Sequence, residues 1–115
     1  MRAEWGSQNR AVLVRYLRGL LRTMDWLYTS RDEFVPIAAR LLNLEPRYAG
    51  IGWDTYTGKA VWPRDARPTM NGIAKVIDIL AQQGTFGGNP PPQPGELVDL
   101  SYIDEASRTL GSAAR

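Results

Sequence analysis

Residues 9–28, NRAVLVRYLRGLLRTMDWLY, decide the fold class. Leu13, Leu17, Leu20, Met24 and Leu27 recur at intervals of three and four, and Val14, Leu21 and Tyr28 widen the stripe. That period belongs to one face of an amphipathic helix of about five turns. Asn9 stands where an N-cap belongs. Gly19 weakens the helix by about 1 kcal/mol relative to Ala if it is exposed, or else admits a closely packed neighbour. Arg15, Arg18 and Arg22 share the polar side, one turn short of Asp25.

The same reading extends along the chain. In SRDEF (30–34), Ser30 and Glu33 have capping-box spacing and open a second helix. Asp32 as the cap instead would keep Pro36 inside the first turn, where a missing N–H matters least. Ile37, Leu41 and Leu44 form the expected inward stripe, with Ala38 beside it, and the end falls near Asn43. Pro46 then suits the first position of a third helix, with Tyr48, Ile51, Thr55 and Tyr56 on one face and Gly58 as its stop. Gly50 and Gly52 weaken that helix. Residues 59–68, KAVWPRDARP, read as a loop, because Trp62 and Arg67 each precede a proline. Thr69 caps a fourth helix to about Gln83, with Met70, Ile73, Val76, Ile77 and Leu80 inward and Gly84 ending it.

Beyond Gly84 the pattern breaks. GTFGGNPPPQPG (84–95) combines paired glycines with three consecutive prolines, which neither donate hydrogen bonds nor continue a helix. Leu97, Val98, Leu100, Tyr102 and Ile103 then resume an apolar segment. LVDL (97–100) is the one strand-like piece. Ser101 and Asp104 have the spacing of a capping pair for a short last helix, about Tyr102 to Leu110, closed by Gly111. The expected organisation is therefore a polar tail over 1–8, a helical domain over 9–84, a Gly/Pro-rich strap over 85–96, a docking segment with a short helix over 97–111, and a fraying tail over 112–115. The fold class is all-α with four to five helices.

Composition narrows the chemistry. A chain of 115 residues suits one domain and, folded alone, buries roughly two-thirds of its unfolded surface. Hydrophobic and charged fractions of 43% and 23% are ordinary for a globular domain. The net charge of +2 is too small to announce a nucleic-acid partner, and all positive charges except Lys59 and Lys75 are arginine. There is no cysteine and no histidine, which removes disulfides, thiolate chemistry, the commonest metal ligands and the commonest general base near neutral pH. The N-terminus, MRAEWGSQNR, lacks a signal-peptide core, and no run of eighteen apolar residues suits a membrane span. GTFGG lacks the Lys-Ser/Thr of a phosphate-binding loop. Asp32/Glu33 and Asp104/Glu105 sit at helix starts, where the helix dipole accounts for them. No catalytic residue, cofactor or metal site is expected, and the chain does not read as an enzyme. The candidate ligand-binding residues are Trp53, Tyr56 and Trp62, with Asp54 and Lys59 nearby: they can line a pocket for an organic solute or fill the core.

The order of the elements resembles the C-terminal portion of ABC-importer solute-binding proteins of the nitrate/sulfonate/taurine and thiamine-precursor type. The matching pieces are Leu17-Arg18 through Asp25-Trp26-Leu27-Tyr28, Asn71-Gly72-Ile73 through Gln83-Gly84, and Leu97-Val98-Asp99-Leu100-Ser101-Tyr102. The resemblance covers residues 9–110 and rests on order and spacing. It implies the last helical part of a two-lobed α/β clamshell of the type II periplasmic-binding-protein kind. The N-terminal lobe, the permease partner and a periplasmic or extracytoplasmic location follow from the resemblance alone. The family's ligand contacts lie largely in loops of that other region, so no binding residue carries over. Relatives that make a thiamine precursor use a histidine, which this chain lacks. Helices that normally rest on sheets leave apolar faces uncovered, so the chain is expected to bind solute poorly alone and to form a homo-oligomer through helix 1, helix 4 or the strap. The rival expectation is an independent helical protein-interaction module. A weaker alternative is a nucleic-acid binder using Arg15, Arg18 and Arg22.

Overall fold

The computed structural model describes residues 2–110. The chain is all-α, with seven helices and no strand among the described residues: α1 (Ala3–Gln8), α2 (Arg10–Thr29), α3 (Arg31–Leu42), α4 (Pro46–Gly58), α5 (Met70–Gln82), α6 (Pro94–Leu97) and α7 (Ser101–Leu110). None of the described helices is long and apolar enough to cross a membrane.

Seven helices replace the expected four to five because two short ones carry no apolar stripe. The polar segment over 1–8 contains α1. A six-residue helix is marginal alone, but α1 rests against α2 and shares the junction residue Asn9 with it. Asn9 precedes α2 as expected, yet its side chain caps nothing there; its amide donates to the Trp5 carbonyl at 2.9 Å. The second addition, α6, ends the strap. Its Gln93 and Glu96 make a reciprocal capping box, and α6 packs on α5. The 97–100 segment forms no strand: Leu97 closes α6 and Val98 is extended.

The middle of the chain corrects one expectation about which side faces in. α3 begins at Arg31 with Ser30 before it, so Asp32 is not the cap and Pro36 lies beyond the first turn. The Ser30–Glu33 box is not made either: Glu33 accepts from the Trp26 indole at 3.0 Å. A bidentate contact ties the first turn of α3 to α4, with Arg31 Nε and Nη2 each 2.9 Å from an oxygen of Asp54. α3 packs on α4, and the buried residues of the pair are small: Ala39 on α3, Ala49 and Gly50 on α4. The stripe expected to point inward is on the surface instead, with Ile37, Leu41 and Leu44 exposed at 40%, 74% and 45%. Asn43, in the left-handed region at φ 52°, ends α3 as predicted. α4 runs from Pro46 to Gly58 despite Gly50 and Gly52. Gly50 has a local reason. A Cβ there would lie 3.1 Å from Arg31 Nη2, in the path of the guanidinium toward Asp54.

Thr69 caps α5, its hydroxyl accepting from the Gly72 N–H at 3.2 Å. Of the α5 stripe, Ile77 is buried while Met70 and Val76 are exposed, with Ile79 beside them. Gly84, Gly87 and Gly88 all take positive φ, which lets the chain reverse and lay Pro91–Pro94 beside Ala74 and Ile77. The apolar segment after the strap then divides. α6 stays with α5, and α7 crosses to α2. Ile103 and Ala106 on α7 and Val14 on α2 are among the few buried side chains. The expected Ser101–Asp104 capping pair is redirected: Ser101 N–H donates to Asp99 at 2.9 Å, the Ser101 hydroxyl accepts from Arg10 at 3.2 Å, and Asp104 accepts from Arg67. The predicted stop at Gly111 and the tail over 112–115 lie outside the described residues.

The assembly is open. Its radius of gyration is 17.6 Å with extents of 48 × 40 × 22 Å, against about 13 Å for a compact chain of this length. Its accessible surface of 8547 Å² exceeds by about 2,200 Å² what a compact 12.8 kDa monomer exposes.

Candidate functional site

The aromatic candidates sit where the end of α2, the start of α3, the body of α4 and the loop after it converge. The Trp53 indole donates to the Leu27 carbonyl at 2.8 Å, anchoring α4 on the last turn of α2. Its ring lies 5.7 Å from the Arg31 guanidinium. Tyr56 and Trp62 are brought together, with ring centroids 4.6 Å apart. Phe34 meets Trp62 edge-on at 6.2 Å and Trp26 at 6.2 Å. Tyr28 donates its hydroxyl to the Trp62 carbonyl, fixing the loop. The arrangement is a run of rings in mutual contact, and Trp53 takes part through its hydrogen bond rather than by facing Tyr56 across a gap.

The charged groups around this cluster serve the same end. Asp54 lies below the ordinary carboxylate range because it accepts the Arg31 hydrogen bonds and sits in the field of that guanidinium; Arg31 is correspondingly raised. Both are solvent-facing, so the pair acts as a clasp between α3 and α4. Arg64 covers the Tyr28 ring at 5.0 Å and approaches Asp25 at 3.9 Å. Lys59 makes no ion pair among the described residues. Aromatic rings that already satisfy one another in this way stabilise a helical junction.

A separate cleft of about 750 Å³ opens between α1, α6 and the start of α7. Glu4, Glu96, Asp99 and Tyr102 border it. Two of its carboxylates have partners. Glu96 accepts from the Gln93 N–H at 3.0 Å, and Asp99 is lowered by hydrogen bonds from Ser101 and, more weakly, by Arg10. The Arg10 guanidinium stacks 4.5 Å from the Tyr102 ring while its Nε donates to Glu105 at 2.7 Å. Arg10 is raised, first by Glu105. It therefore closes the α2–α7 junction. Sequence reasoning missed this role; a cation at a helix start offers no period to detect.

Arg15, Arg18 and Arg22 lie along α2, with Arg15 and Arg22 exposed and Arg18 half-buried. None makes an ion pair among the described residues. Asp25, expected to sit near Arg22, turns to Arg64. No group of three or more His, Cys, Asp or Glu side chains among the described residues is placed to hold a metal ion.

The most conspicuous surface is apolar. Large aliphatic and aromatic side chains stand exposed on α3 and α4 (Ile37, Leu41, Leu42, Leu44, Tyr48, Ile51), on α5 (Met70, Val76, Ile79) and on α2 (Val12, Tyr16). No family model matches the chain, and no curated protein or solved structure does so either.

Proposed function

We propose that this chain is the helical C-terminal part of the solute-binding component of an ABC importer, of the nitrate/sulfonate/taurine and thiamine-precursor kind, working outside the cytoplasm. The observation that carries this reading is the surface: about 2,200 Å² more than a compact monomer exposes, with apolar stripes on helices whose order resembles that of the family. α2, α5 and the α6–α7 segment hold the best-matching pieces, and α5 leaves Met70, Val76 and Ile79 open to an α/β lobe. Solute recognition belongs to the complete two-lobed protein. The chain alone covers its apolar faces with a second copy. Isothermal calorimetry against nitrate, taurine, an alkanesulfonate and a pyrimidine is expected to register no micromolar binding by the chain alone. A clear isotherm would overturn the claim that the second lobe is required. Genomic DNA upstream of the Met1 codon is expected to encode an in-frame α/β lobe; unrelated sequence there counts against the family reading.

One observation favours a second reading. α7 finds its dock on α2 of the same chain, with Ile103 and Ala106 buried, so the unit closes on itself without an outside lobe. Such a unit suits an independent helical module that binds another protein. Capture of one specific heterologous partner, lost when the exposed apolar stripes are made polar, would support it over the first.

A further inference from the structure

We infer that the proline strap is a recognition element: residues 90–94, PPPQP, present a polyproline II ridge to the aromatic-lined groove of another protein, one whose rim is basic. Neither solute binding nor the exposed helix faces enters into it.

The ridge follows from the sequence. Each proline ring fixes φ at about −65°. Asn89, Pro90, Pro91 and Gln93 each precede a proline, which holds their ψ in the extended range. Together the two restraints define the polyproline II conformation. Gln93, which has no ring, shows it directly at φ −77° and ψ 148°, and no peptide bond of the run is cis. Both ends are tied. Gly84, Gly87 and Gly88 turn the chain at positive φ on one side. On the other, Glu96 accepts from the Gln93 N–H at 3.0 Å within the capping box of α6. The segment is therefore ordered before a partner arrives, which lowers the entropic cost of binding.

Pro91 and Pro94 have P-x-x-P spacing, the spacing read by proline-binding grooves. With three residues per turn, 90 and 93 share one edge, 91 and 94 a second, and 92 lies on the third. The run lies beside Ala74, Ile77 and Asp78 of α5. Pro92 and Pro94 are half-buried, while Pro90, Pro91 and Gln93 are exposed. One edge is thus wholly open, and Pro91 opens a second. The carbonyls of Asn89, Pro90, Pro91 and Pro92 accept no hydrogen bond among the described residues. Open proline rings with free carbonyls suit Tyr and Trp side chains, which pack on the rings and donate from O–H and N–H. Asp78 and Glu96 flank the run, and neither makes an ion pair among the described residues. Their charge matches a groove rimmed by Arg or Lys and opposes an acidic one.

The test titrates the isotopically labelled full chain with a purified WW domain that carries a Tyr–Trp groove and arginine at its rim, read by amide chemical shifts. Saturable binding at sub-millimolar concentration is expected, with the Asn89, Gln93 and Gly95 amides shifting most. Pro90→Ala and Pro91→Ala, both at exposed positions, should each weaken binding roughly fivefold or more. Far-UV circular dichroism checks that both variants keep their helices. The same WW domain with its rim arginines changed to glutamate should bind more weakly. Absence of saturable binding, binding that survives both proline variants, or shifts confined to α3, α4 and α5 overturns the assignment of the strap. Equal binding by the two rims overturns the basic partner. None of these outcomes bears on solute binding, which calorimetry reads separately.

Discussion

Ile103→Ala probes the contact that closes the fold. Ile103 is 5% exposed on α7, beside Ala106 at 0%, and packs toward α2. The substitution removes three carbons. At about 0.8 kcal/mol per buried methylene the transfer loss is about 2.4 kcal/mol. A residual cavity adds to this, and such truncations span about 2–5 kcal/mol. The lower half of that range applies, because no large side chain is buried below 2% exposure. The surroundings can relax, and water lies near. The expected loss is therefore about 2.5–3 kcal/mol, a large share of the 5–15 kcal/mol typical of a domain. At about 4 °C per kcal/mol for a chain of this size, Tm falls by about 10–12 °C.

Urea unfolding followed by circular dichroism and by tryptophan fluorescence measures the loss. The two probes separate global unfolding from release of α7, since all four tryptophans lie outside α7. Leu97→Ala is the control: at 59% exposure it should cost less than about 0.5 kcal/mol. A loss below about 1 kcal/mol for Ile103→Ala, with an unchanged denaturant slope, would refute the docking of α7 on α2.

Two further outcomes follow from local geometry. Gly19 is exposed within α2, and a Cβ there would meet nothing within 4 Å, so Gly19→Ala should raise stability by about 0.5–1 kcal/mol in urea titration; a destabilised variant would mean that another surface covers this position. For acid, the Asp54 carboxyl is held below its ordinary 3.8 by Arg31. Its contribution is therefore present above the unfolded-state value and is lost as pH falls through the lower folded-state value. Thermal melts should show a shallower acid limb below pH 3.8 for Asp54→Asn than for the wild type. Identical limbs would remove the Arg31 clasp from the account.

Helix existence was legible wherever the apolar period was long. α2 and α5 follow their stripes, Thr69 caps as its spacing predicts, and Pro46, Asn43, Gly58 and Gly84 mark boundaries close to those observed. α1 and α6 were not legible, because helices of six and four residues are too short to show a period and are held by their neighbours. Capping pairs misled for a different reason. Glu33 and Asp104 have the right spacing, but Trp26 and Arg67 reach them from elsewhere in the chain, and tertiary donors compete with local ones. Periodicity also identified the Ile37–Leu41–Leu44 stripe without saying what covers it. The residues buried on α3 and α4 are Ala39, Ala49 and Gly50, and the stripe stays outside. The aromatic candidates show the same limit: clustering of Trp53, Tyr56 and Trp62 in sequence was a sound sign of proximity, yet proximity here is a junction of rings.

The strap sharpens how folding and association divide in this chain. It reverses at three glycines of positive φ, covers part of α5 with prolines, and delivers α7 to α2. The late apolar segment is thereby accounted for within one chain. What remains uncovered lies upstream, on one side of α2, on α3 and α4, and on the open side of α5. A second copy or an α/β lobe can add to those surfaces without displacing α7, so association carries no penalty for undocking it. Substitutions then sort by element. On α7, Ile103→Ala lowers stability and leaves the affinity of the folded chain for its partner unchanged. On α3, Leu41→Glu at a 74% exposed position lowers affinity for a second copy and leaves the folded monomer intact. An exchange of α7 between subunits would couple the two, since α7 would then belong to fold and interface at once. Measuring both properties on both variants therefore distinguishes added contact from exchanged contact: independence supports the surface reading, and a dimer whose dissociation tracks Ile103→Ala supports exchange.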